Sequence, residues 1–336
     1  MDASTDRHIV TLKDVALASG VSISTVSRIL DERTPASKSE TARRVRDTAD
    51  RLGYRRNMNA SSLRRGATGT IGVLVPRLTD TVMALMFEAV ENAARARGQF
   101  AVVATCGDDP DDERRATETL LDRGVDGLIL ATARLDDALP ASLRERGIPH
   151  ALVLRTDGIS PSSLGDDEAG GYLAVRHLVD LGHRDIAVIT GPWFTSSARA
   201  RLAGAKRALE EAGITLDDAD VISGGYGVDD GIAAGRQLLS GKDHPSAIFA
   251  ANDNVAIGVV SAAHSIGLAV GRDLSVVGYN DIPLAARLPV PLTSVRTPFE
   301  LIATTAMDLV LAPHHVTPDI RRAMPTLIPR SSTSRA

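Results

Sequence analysis

From Thr70 onward, short runs rich in β-branched residues alternate with segments long enough to form a helix. Buried parallel strands read as nearly continuous apolar runs, and helices between them supply the crossovers. Two successive sets of four runs predict two doubly wound parallel-sheet subdomains that face one another, with a ligand cleft at the carboxyl ends of the strands. The runs are residues 71–76, 100–105, 127–132 and 150–154, followed by 186–190, 220–223, 247–252 and 275–280.

The stretch from Thr11 to Leu30 predicts two short helices joined by a tight turn. Thr11 and Asp14 have the spacing of a capping box, Gly20 supplies the chain reversal, and Ser22 can cap the second helix. One interpretation is an ordinary αα-hairpin packed in a core. The other is a helix-turn-helix, whose second helix enters the major groove of DNA. The residues expected on the outer face of that helix are Ile23, Ser24, Thr25, Ser27 and Arg28.

A third helix is expected from about Ser37 to Leu52, with Ser37 and Glu40 as its cap. Its apolar stripe would close the core of a small all-α head. Three arginines on this helix either face solvent or contact DNA, and they are Arg43, Arg44 and Arg46.

Charge is segregated along the chain. Residues 1–65 contain 13 Lys and Arg against 8 Asp and Glu, a net charge of +5, although the whole chain carries −4. The remaining 25 basic and 34 acidic residues give −9. A basic head attracts phosphates through counterion release, and an acidic body stays off the polyanion. Nucleic acid is therefore the favoured partner.

Motifs in a fixed order identify a resemblance to a known family. They read TLKDVALASGVSISTVSRIL, LGYRRN, ASSLRRGATGTIGVLVP, VDGLIL, LAVRHLVDLGHRDIAVITGP, SARARLAG, ANDNVAIG, SVVGYND and PLTSVRTPF. Together they resemble the lactose-repressor (LacI/GalR) family of transcription factors over about residues 9 to 330. An ordered set of this kind is far more specific than any one motif.

The resemblance implies a fold class and a set of domains. The expected fold is a small all-α helix-turn-helix head followed by an α/β periplasmic-binding-protein-like core of two doubly wound parallel-sheet subdomains. The head covers residues 9–56, a hinge helix and linker covers 57–69, and the effector-binding and dimerisation core covers 70–330. Within the core, the N-subdomain is expected at about 70–164 and 297–323, and the C-subdomain at about 165–296 and 324–330.

The resemblance also implies DNA contacts by the head and the hinge. Arg28 is a candidate for reading guanine, and Leu63 would be an apolar wedge in the minor groove, in a hinge helix that folds only on DNA. A disordered tether with an incidental leucine is the alternative. Arg56 stands where the family commonly has proline, which predicts a looser linker. The expected DNA-binding residues are Thr11, Ser22, Ile23, Ser24, Thr25, Ser27, Arg28, Asn57, Ala60 and Leu63.

Effector contacts are expected from polar residues at strand ends. Arg201, in SARARLAG, matches the effector-binding arginine of the family, and its fork of donors suits hydroxyl pairs or a carboxylate. Trp193 could stack on a sugar or belong to the local core of a loop, and Asp253 could instead cap the next helix. Asn280 stands where some relatives have aspartate. The expected set is Asp80, Arg155, Trp193, Arg201, Asn252, Asp253 and Asn280.

Signals for an enzyme are weak. Cys106 has no motif around it, and the acidic run at residues 108–113 fits no EF-hand spacing, which favours a solvated helix start. We therefore predict no catalytic residue, no metal and no cofactor.

The predicted function is that of a sequence-specific DNA-binding transcriptional regulator, a repressor, controlled by a small polar effector such as a sugar or sugar derivative. Its expected partners are double-stranded palindromic operator DNA, the effector and a second copy in a homodimer, since the chain ends PRSSTSRA without a long C-terminal helix. The alternative is a solute-binding protein that does not bind DNA, or a sugar-processing enzyme, with an incidental basic head. A polar N-terminus and the lack of an apolar run of membrane-spanning length predict a cytoplasmic protein without membrane contact.

Overall fold

The computed structural model describes residues 10–30, 37–54, 67–241, 243–312 and 318–336. The chain forms two compact units, Met1–Thr68 and Gly69–Ala336. The predicted hinge residues Asn57, Ala60 and Leu63 lie outside the described ranges. Within those ranges, no helix is long and apolar enough to cross a membrane.

The first unit is a three-helix head with the local structure that the sequence predicts. Its helices are α1 (Leu12–Ser19), α2 (Ile23–Ile29) and α3 (Glu40–Leu52). The capping box of Thr11 and Asp14 is confirmed, and Gly20 adopts φ 68°, a left-handed conformation that favours glycine. The core of the head consists of Val15, Ala16, Val26, Val45 and Ala49. Because α1 and α2 both pack on α3, the second helix keeps one face free of the core.

The cap predicted for α3 is wrong by two residues. The hydroxyl of Ser39, not that of Ser37, accepts the N–H of Ala42 at 3.2 Å. The Ser37 hydroxyl donates to that of Ser39 instead, at 3.2 Å. Both serines fit the capping preference, so the local sequence does not distinguish them.

The second unit begins as a regular alternation of strands and helices. Its first part contains β1 (Thr70–Val75), α4 (Thr81–Arg95), β2 (Phe100–Thr105), α5 (Pro110–Asp122), β3 (Gly127–Leu130), α6 (Leu139–Glu145), β4 (His150–Val153) and β5 (Ser162–Gly165). Its second part contains α7 (Asp167–Asp180), β6 (Ile186–Thr190), α8 (Ser196–Glu211), β7 (Val221–Ser223), α9 (Val228–Leu238), β8 (Ala247–Ala250), α10 (Asp253–Ser265), β9 (Ser275–Asn280) and β10 (Thr293–Arg296). It ends with α11 (Phe299–Leu311), β11 (Ile320–Ala323) and β12 (Thr326–Ile328), and 3₁₀ turns occur at Asp218–Asp220 and Ala285–Arg287.

The described strands of this unit form two six-stranded sheets. Their orders are β11-β5-β4-β3-β1-β2 and β12-β10-β9-β8-β6-β7. In each sheet the order reverses beside the first strand, so that β1 lies between β2 and β3, and β6 lies between β7 and β8. Such a switch point places a ligand site at the carboxyl ends of the strands. The pairing is parallel except between β10 and β12, which is antiparallel. The predicted fold class is confirmed, with one antiparallel edge strand added.

The sequence does not predict strands β5, β10, β11 and β12, because their segments (SSLG, TSVR, IRRA and TLI) are only three or four residues long and contain no apolar run of more than two residues. These strands belong to the crossings between the two sheets. The chain passes from the first sheet to the second near Asp166, returns after Arg296, and crosses again between β11 and β12. The end of the chain, beyond the expected boundary at residue 330, packs on the second sheet, where the Ser332 hydroxyl donates to the carbonyl of Val276 at 2.6 Å.

Helices α7 and α8 pack backbone against backbone through glycine. A Cβ atom at Gly204 would overlap the carbonyl oxygen of Glu168, and one at Gly171 would overlap the carbonyl oxygen of Arg201. This close approach brings the Arg201 side chain on α8 to Asp167 at the start of α7.

We expect Gly204→Ala to destabilise the second unit by about 1–3 kcal/mol, because the added methyl group must push two helix backbones apart. A glycine-to-alanine change in a helix interior otherwise stabilises a protein by up to about 1 kcal/mol. A loss of stability in Gly204→Ala would therefore indicate the steric overlap between the two helices. Urea unfolding measures the effect. The matched change Ala203→Gly, at the neighbouring exposed position, should cost no more than its loss of helix propensity.

Candidate DNA-reading helix and effector cleft

The outer face of α2 carries the side chains that the sequence assigns to DNA. Ser22, Ile23, Ser24 and Arg28 are exposed, and Thr25 and Ser27 are half-buried. Ile23 is 49% exposed, although it is a large apolar residue. Single exposed apolar side chains are common, but this one stands among hydroxyls and one cation at the start of a short helix. Such a set can contact base edges, thymine methyl groups and phosphates.

Thr11 already has a partner within the head, and so do two of the three arginines of α3 that the sequence assigns to solvent or DNA. The Thr11 hydroxyl donates to Asp14 Oδ2 at 2.7 Å. Arg44 Nε donates to the carbonyl of Ser19 at 3.2 Å, and Arg46 Nη2 donates to the carbonyl of Ser37 at 3.0 Å. Arg44 and Arg46 therefore tie α3 to the preceding chain, which favours a structural role for them.

In the second unit, a cavity of about 30 Å³ lies at the carboxyl ends of the strands, lined by residues of both subdomains. It brings together five of the seven predicted effector residues, namely Asp80, Arg155, Arg201, Asn252 and Asn280. The other lining residues are not expected from the sequence, and they are Val82, Met83, Leu154, Ser197 and Tyr226. Tyr226 lies shortly after the end of β7, which is the kind of position from which effector contacts are expected. The position of this strand in the sequence was therefore a signal for Tyr226.

The volume of this cavity has a direct consequence for ligand binding. About 30 Å³ holds one or two water molecules, whereas cavities that enclose small-molecule ligands measure roughly 300–1,000 Å³. A ligand the size of a sugar therefore needs the two subdomains to move apart first.

Arg201 is buried, and its guanidinium already makes hydrogen bonds within the C-subdomain. Its Nε donates to Asp167 Oδ1 at 2.8 Å, and its Nη1 donates to the carbonyl of Ala251 at 2.6 Å. Its guanidinium stacks on the ring of Tyr279, with Cζ 3.7 Å from the centroid. These contacts fix the plane of the guanidinium at the cleft, so Arg201 is both a ligand candidate and part of the buried structure of the C-subdomain.

Direct contacts join the two subdomains across the cleft. Asp80 caps α4 by accepting the N–H of Val82 at 3.0 Å, and it also accepts from Asn254 of the opposite subdomain at 3.3 Å. Burial raises the pKa of Asp80, although the positive charge of Arg155 acts against this shift. On the other side, the Leu135 N–H donates to the carbonyl of Phe194 at 2.9 Å, while Arg134 stacks on the Phe194 ring. These contacts hold the cleft closed.

The two cleft asparagines have different constraints. Asn252 caps α10 by accepting the N–H of Val255 at 2.8 Å, and its Nδ2 donates to the carbonyl of Tyr226 at 3.0 Å. Asn280 has φ 94°, which strains a residue with a side chain, and its Oδ1 accepts from Thr297 at 3.0 Å. Asn280 therefore connects the cavity wall to the crossing that follows β10.

Trp193 and Asp253 do not line the cavity. Trp193 is 46% exposed, and its neighbour Phe194 makes the cross-cleft contact instead. Asp253 is completely buried and faces the interior, where it accepts from Ser294 Oγ at 2.6 Å and from the Ile282 N–H at 2.7 Å. Burial raises the pKa of Asp253 to about 7. The alternative considered for Asp253, that it caps the helix, is also excluded, since Asn252 is the cap.

Glu113, in the acidic run at the start of α5, departs from the expectation of a solvated helix start. Its side chain is buried and accepts a hydrogen bond from Thr132, just after β3. Burial raises the pKa of Glu113 to about 7. The other acidic residues of the run match the expectation, since Asp111 and Asp112 are exposed.

We expect the stability of the second unit to fall with rising pH because of Glu113. Its pKa is about 7 when folded and 4.5 when unfolded, so the folded state retains the proton between these values. The contribution is complete below pH 4.5 and is lost as pH rises through 7, by about 3 kcal/mol in total. Glu113→Gln keeps the acceptor for Thr132 and should reduce the fall in urea-unfolding stability between pH 5 and 8, leaving the part that Asp253 contributes. Glu88→Gln, at an exposed position, should leave the slope unchanged.

The described residues contain no cluster of three or more His, Cys, Asp or Glu side chains that could hold a metal ion. Cys106 is buried, and burial raises the pKa of its thiol to about 12. It therefore remains a protonated, unreactive core residue.

Comparison with known proteins gives a consistent set of similarities. Residues 11–57 match the family described as bacterial regulatory proteins, lacI family, and residues 175–333 match the periplasmic binding protein-like domain. The chain is 34% identical to the ribose operon repressor of Escherichia coli over 314 residues, covering 92% of this chain and 94% of that protein. It is 30% identical to the transcriptional repressor PurR of Vibrio vulnificus over 306 residues, covering 90% and 91%.

Solved structures agree with these sequence relatives. The lac repressor dimer bound to operator and the anti-inducer ONPF superposes with a TM-score of 0.85 at 30% identity, covering 97% of this chain and 99% of that one. The regulator CelR in its cellobiose complex superposes with a TM-score of 0.72 at 30% identity, covering 96% and 99%. The similarity spans the head, the core and the order in which they occur.

Proposed function

Because the chain belongs to the lacI family of bacterial regulatory proteins, we propose that it is a sequence-specific transcriptional repressor whose DNA binding is controlled by a small polar effector. The outer face of α2 supports this function most directly, since it offers Ile23, Ser24 and Arg28 to solvent from a firmly capped helix. The two relatives named above are repressors rather than solute-binding proteins or enzymes. We infer that this chain is likewise not an enzyme.

On DNA, we assign base reading to Arg28, Ile23 and Ser24, and phosphate contacts to Ser22, Thr25 and Ser27. Arginine can bind guanine O6 and N7 with two hydrogen bonds, and hydroxyls fix the register on the backbone. A lac repressor dimer binds operator in the solved complex. We propose that two copies of this chain bind the two halves of a palindromic operator in the same way.

The hinge of residues 57–69 completes this proposal. We propose, from the resemblance, that Asn57 caps a helix that forms on DNA and that Ala60 and Leu63 lie on its apolar face. A segment this short and polar does not hold a helix alone in water, so its folding is coupled to operator binding.

Effector control acts through the cleft. Opening the cavity breaks the Asp80–Asn254 and Leu135–Phe194 contacts, and a bound ligand replaces them with contacts of its own. We propose that this exchange shifts the subdomains of each protomer, and with them the spacing of the two hinge helices. The ligand contacts come from Asp80, Arg155, Arg201, Asn252 and Asn280, which line the cavity, and not from Trp193 or Asp253.

An operator selection tests the proposed function. The full-length protein should enrich a palindrome from a random duplex library and bind it at least about 1,000-fold more tightly than a scrambled duplex. Arg28→Ala should cost about 1–3 kcal/mol on that operator and relax the preference at one base pair in each half-site. Arg51→Ala, an exposed cation on α3, should not change the base preference. A protein that binds all duplexes alike would contradict the proposal.

A further inference from the structure

Within the described part of the chain, Arg155 is the charged group lining the cleft cavity that has neither a hydrogen-bond partner nor an ion-pair partner. The residue is 7% exposed and lines the cavity. Among the residues that the structure describes, its guanidinium makes no hydrogen bond and has no carboxylate oxygen within 4.0 Å. Its closest recorded contact is the ring of Tyr226, whose centroid lies 5.3 Å from Cζ. A buried cation without hydrogen bonds is costly, so its presence needs an explanation.

The other charged groups at the cavity already have hydrogen-bond partners. Arg201 is paired with Asp167 at 2.8 Å. Asp80 accepts from the Val82 N–H at the start of α4 and from Asn254, so its hydrogen bonds are directed to a helix end and to the opposite subdomain. The positive charge of Arg155 acts on Asp80 at a distance, but the two side chains form no ion pair, so the hydrogen-bond donors of Arg155 are left facing the space into which a ligand enters.

The backbone on both sides of Arg155 is constrained. Leu154, at the end of β4, has φ 63°, a left-handed conformation that a leucine rarely adopts. Strain of this kind costs about 1–3 kcal/mol and persists where the surroundings impose it, often at ligand sites. On the far side of Arg155, the Thr156 N–H donates to Ser196 Oγ at 2.9 Å, which joins this turn to the opposite subdomain. Arg155 is thus fixed on both sides.

From this geometry we propose that the effector is an anion, and specifically a small polyhydroxy monocarboxylate of the aldonate class. Its carboxylate binds Arg155 through two parallel hydrogen bonds, and its hydroxyls bind Asn252, Asn280 and the free edge of Arg201. One unpaired cation matches one negative charge, which favours a carboxylate over a phosphate dianion. This assignment rests on the proposed function, since it takes the cleft to be the effector site.

Calorimetric titration of the full-length protein tests the assignment. The probes are four- to six-carbon aldonates, each compared with its neutral aldonamide, its parent aldose and the corresponding aldose phosphate. We expect at least one aldonate to bind at least about 30-fold more tightly than its aldonamide, the range expected for a buried charge pair. Arg155→Gln should abolish this difference while leaving aldonamide binding within about threefold. Arg176→Gln, which removes an exposed cation on α7 paired with Asp180, should change neither.

Unfolding curves separate a ligand role from a structural one. Removing an unpaired buried charge should leave the stability of Arg155→Gln equal to that of the parent or higher. A destabilised Arg155→Gln with unchanged aldonate affinity assigns Arg155 to the fold and overturns the inference. Tightest binding by a neutral aldose or by a phosphate, or no binding by any probe, overturns it as well.

Measuring operator affinity with and without each ligand distinguishes the anionic effector from the proposed control of DNA binding by a ligand. A neutral aldose that binds and changes operator affinity refutes the anionic effector but supports ligand control of DNA binding. An aldonate that binds through Arg155 without changing operator affinity supports the anionic site but counts against ligand control.

Discussion

Replacing Leu63 with alanine is expected to lower the affinity for a specific operator by about 10- to 100-fold and the affinity for nonspecific DNA by less than about threefold. Burying a leucine side chain is worth about 1.5–3 kcal/mol, and a wedge between base pairs realises this only when the duplex bends to accept it. Nonspecific binding depends instead on phosphate contacts, to which an apolar side chain contributes little. Fluorescence anisotropy with the selected operator and a scrambled duplex, at one fixed salt concentration, gives both affinities.

Leu17→Ala is the matched control for Leu63→Ala. Leu17 lies on α1 and is 86% exposed, so its truncation removes the same atoms without opening the core of the head. It should leave both affinities nearly unchanged. Equal losses for Leu63→Ala on the operator and on the scrambled duplex would count against the wedge and favour a plain tether.

Replacing Arg201 with alanine is expected to destabilise the second unit by about 3–5 kcal/mol and to abolish effector binding. Asp167 would keep its buried carboxylate but lose the guanidinium that compensates it, and the carbonyl of Ala251 would lose a donor. The resemblance alone predicts only a loss of effector response, with normal DNA binding without effector. The burial of the pair adds the loss of stability.

Two further variants separate stability from ligand contact at this position. Combining Arg201→Met with Asp167→Leu removes both charges and should recover most of the stability, since well-packed apolar residues often replace a buried ion pair without loss. Effector binding should remain absent. Arg199→Ala, at an exposed position two residues earlier on α8, should change urea-unfolding stability by less than about 0.5 kcal/mol. A fully stable Arg201→Ala would contradict the structural role.

Much of the head could be predicted from the sequence because its determinants are local. Capping by Thr11 and Ser22 and the reversal at Gly20 depend on residues only a few positions apart. The apolar faces of α1 and α2 follow from helical spacing. The predicted cap of α3 is wrong by two residues, because Ser37 and Ser39 both fit the capping preference and the local sequence does not distinguish them.

The class of the fold, the order of the two units and five of the ten residues that line the cleft cavity follow from the sequence alone. Long β-branched runs and capped amphipathic helices are short-range signals, and strand ends in a parallel sheet converge on one edge. The short polar strands at the crossings were beyond reach because they gain their stability from neighbours distant in sequence. Tertiary structure alone decided which polar groups have partners. It paired Arg201 with Asp167, turned Asp253 inward, buried Glu113 and left Arg155 unpaired, because hydrogen bonding and burial depend on contacts between segments far apart in the chain.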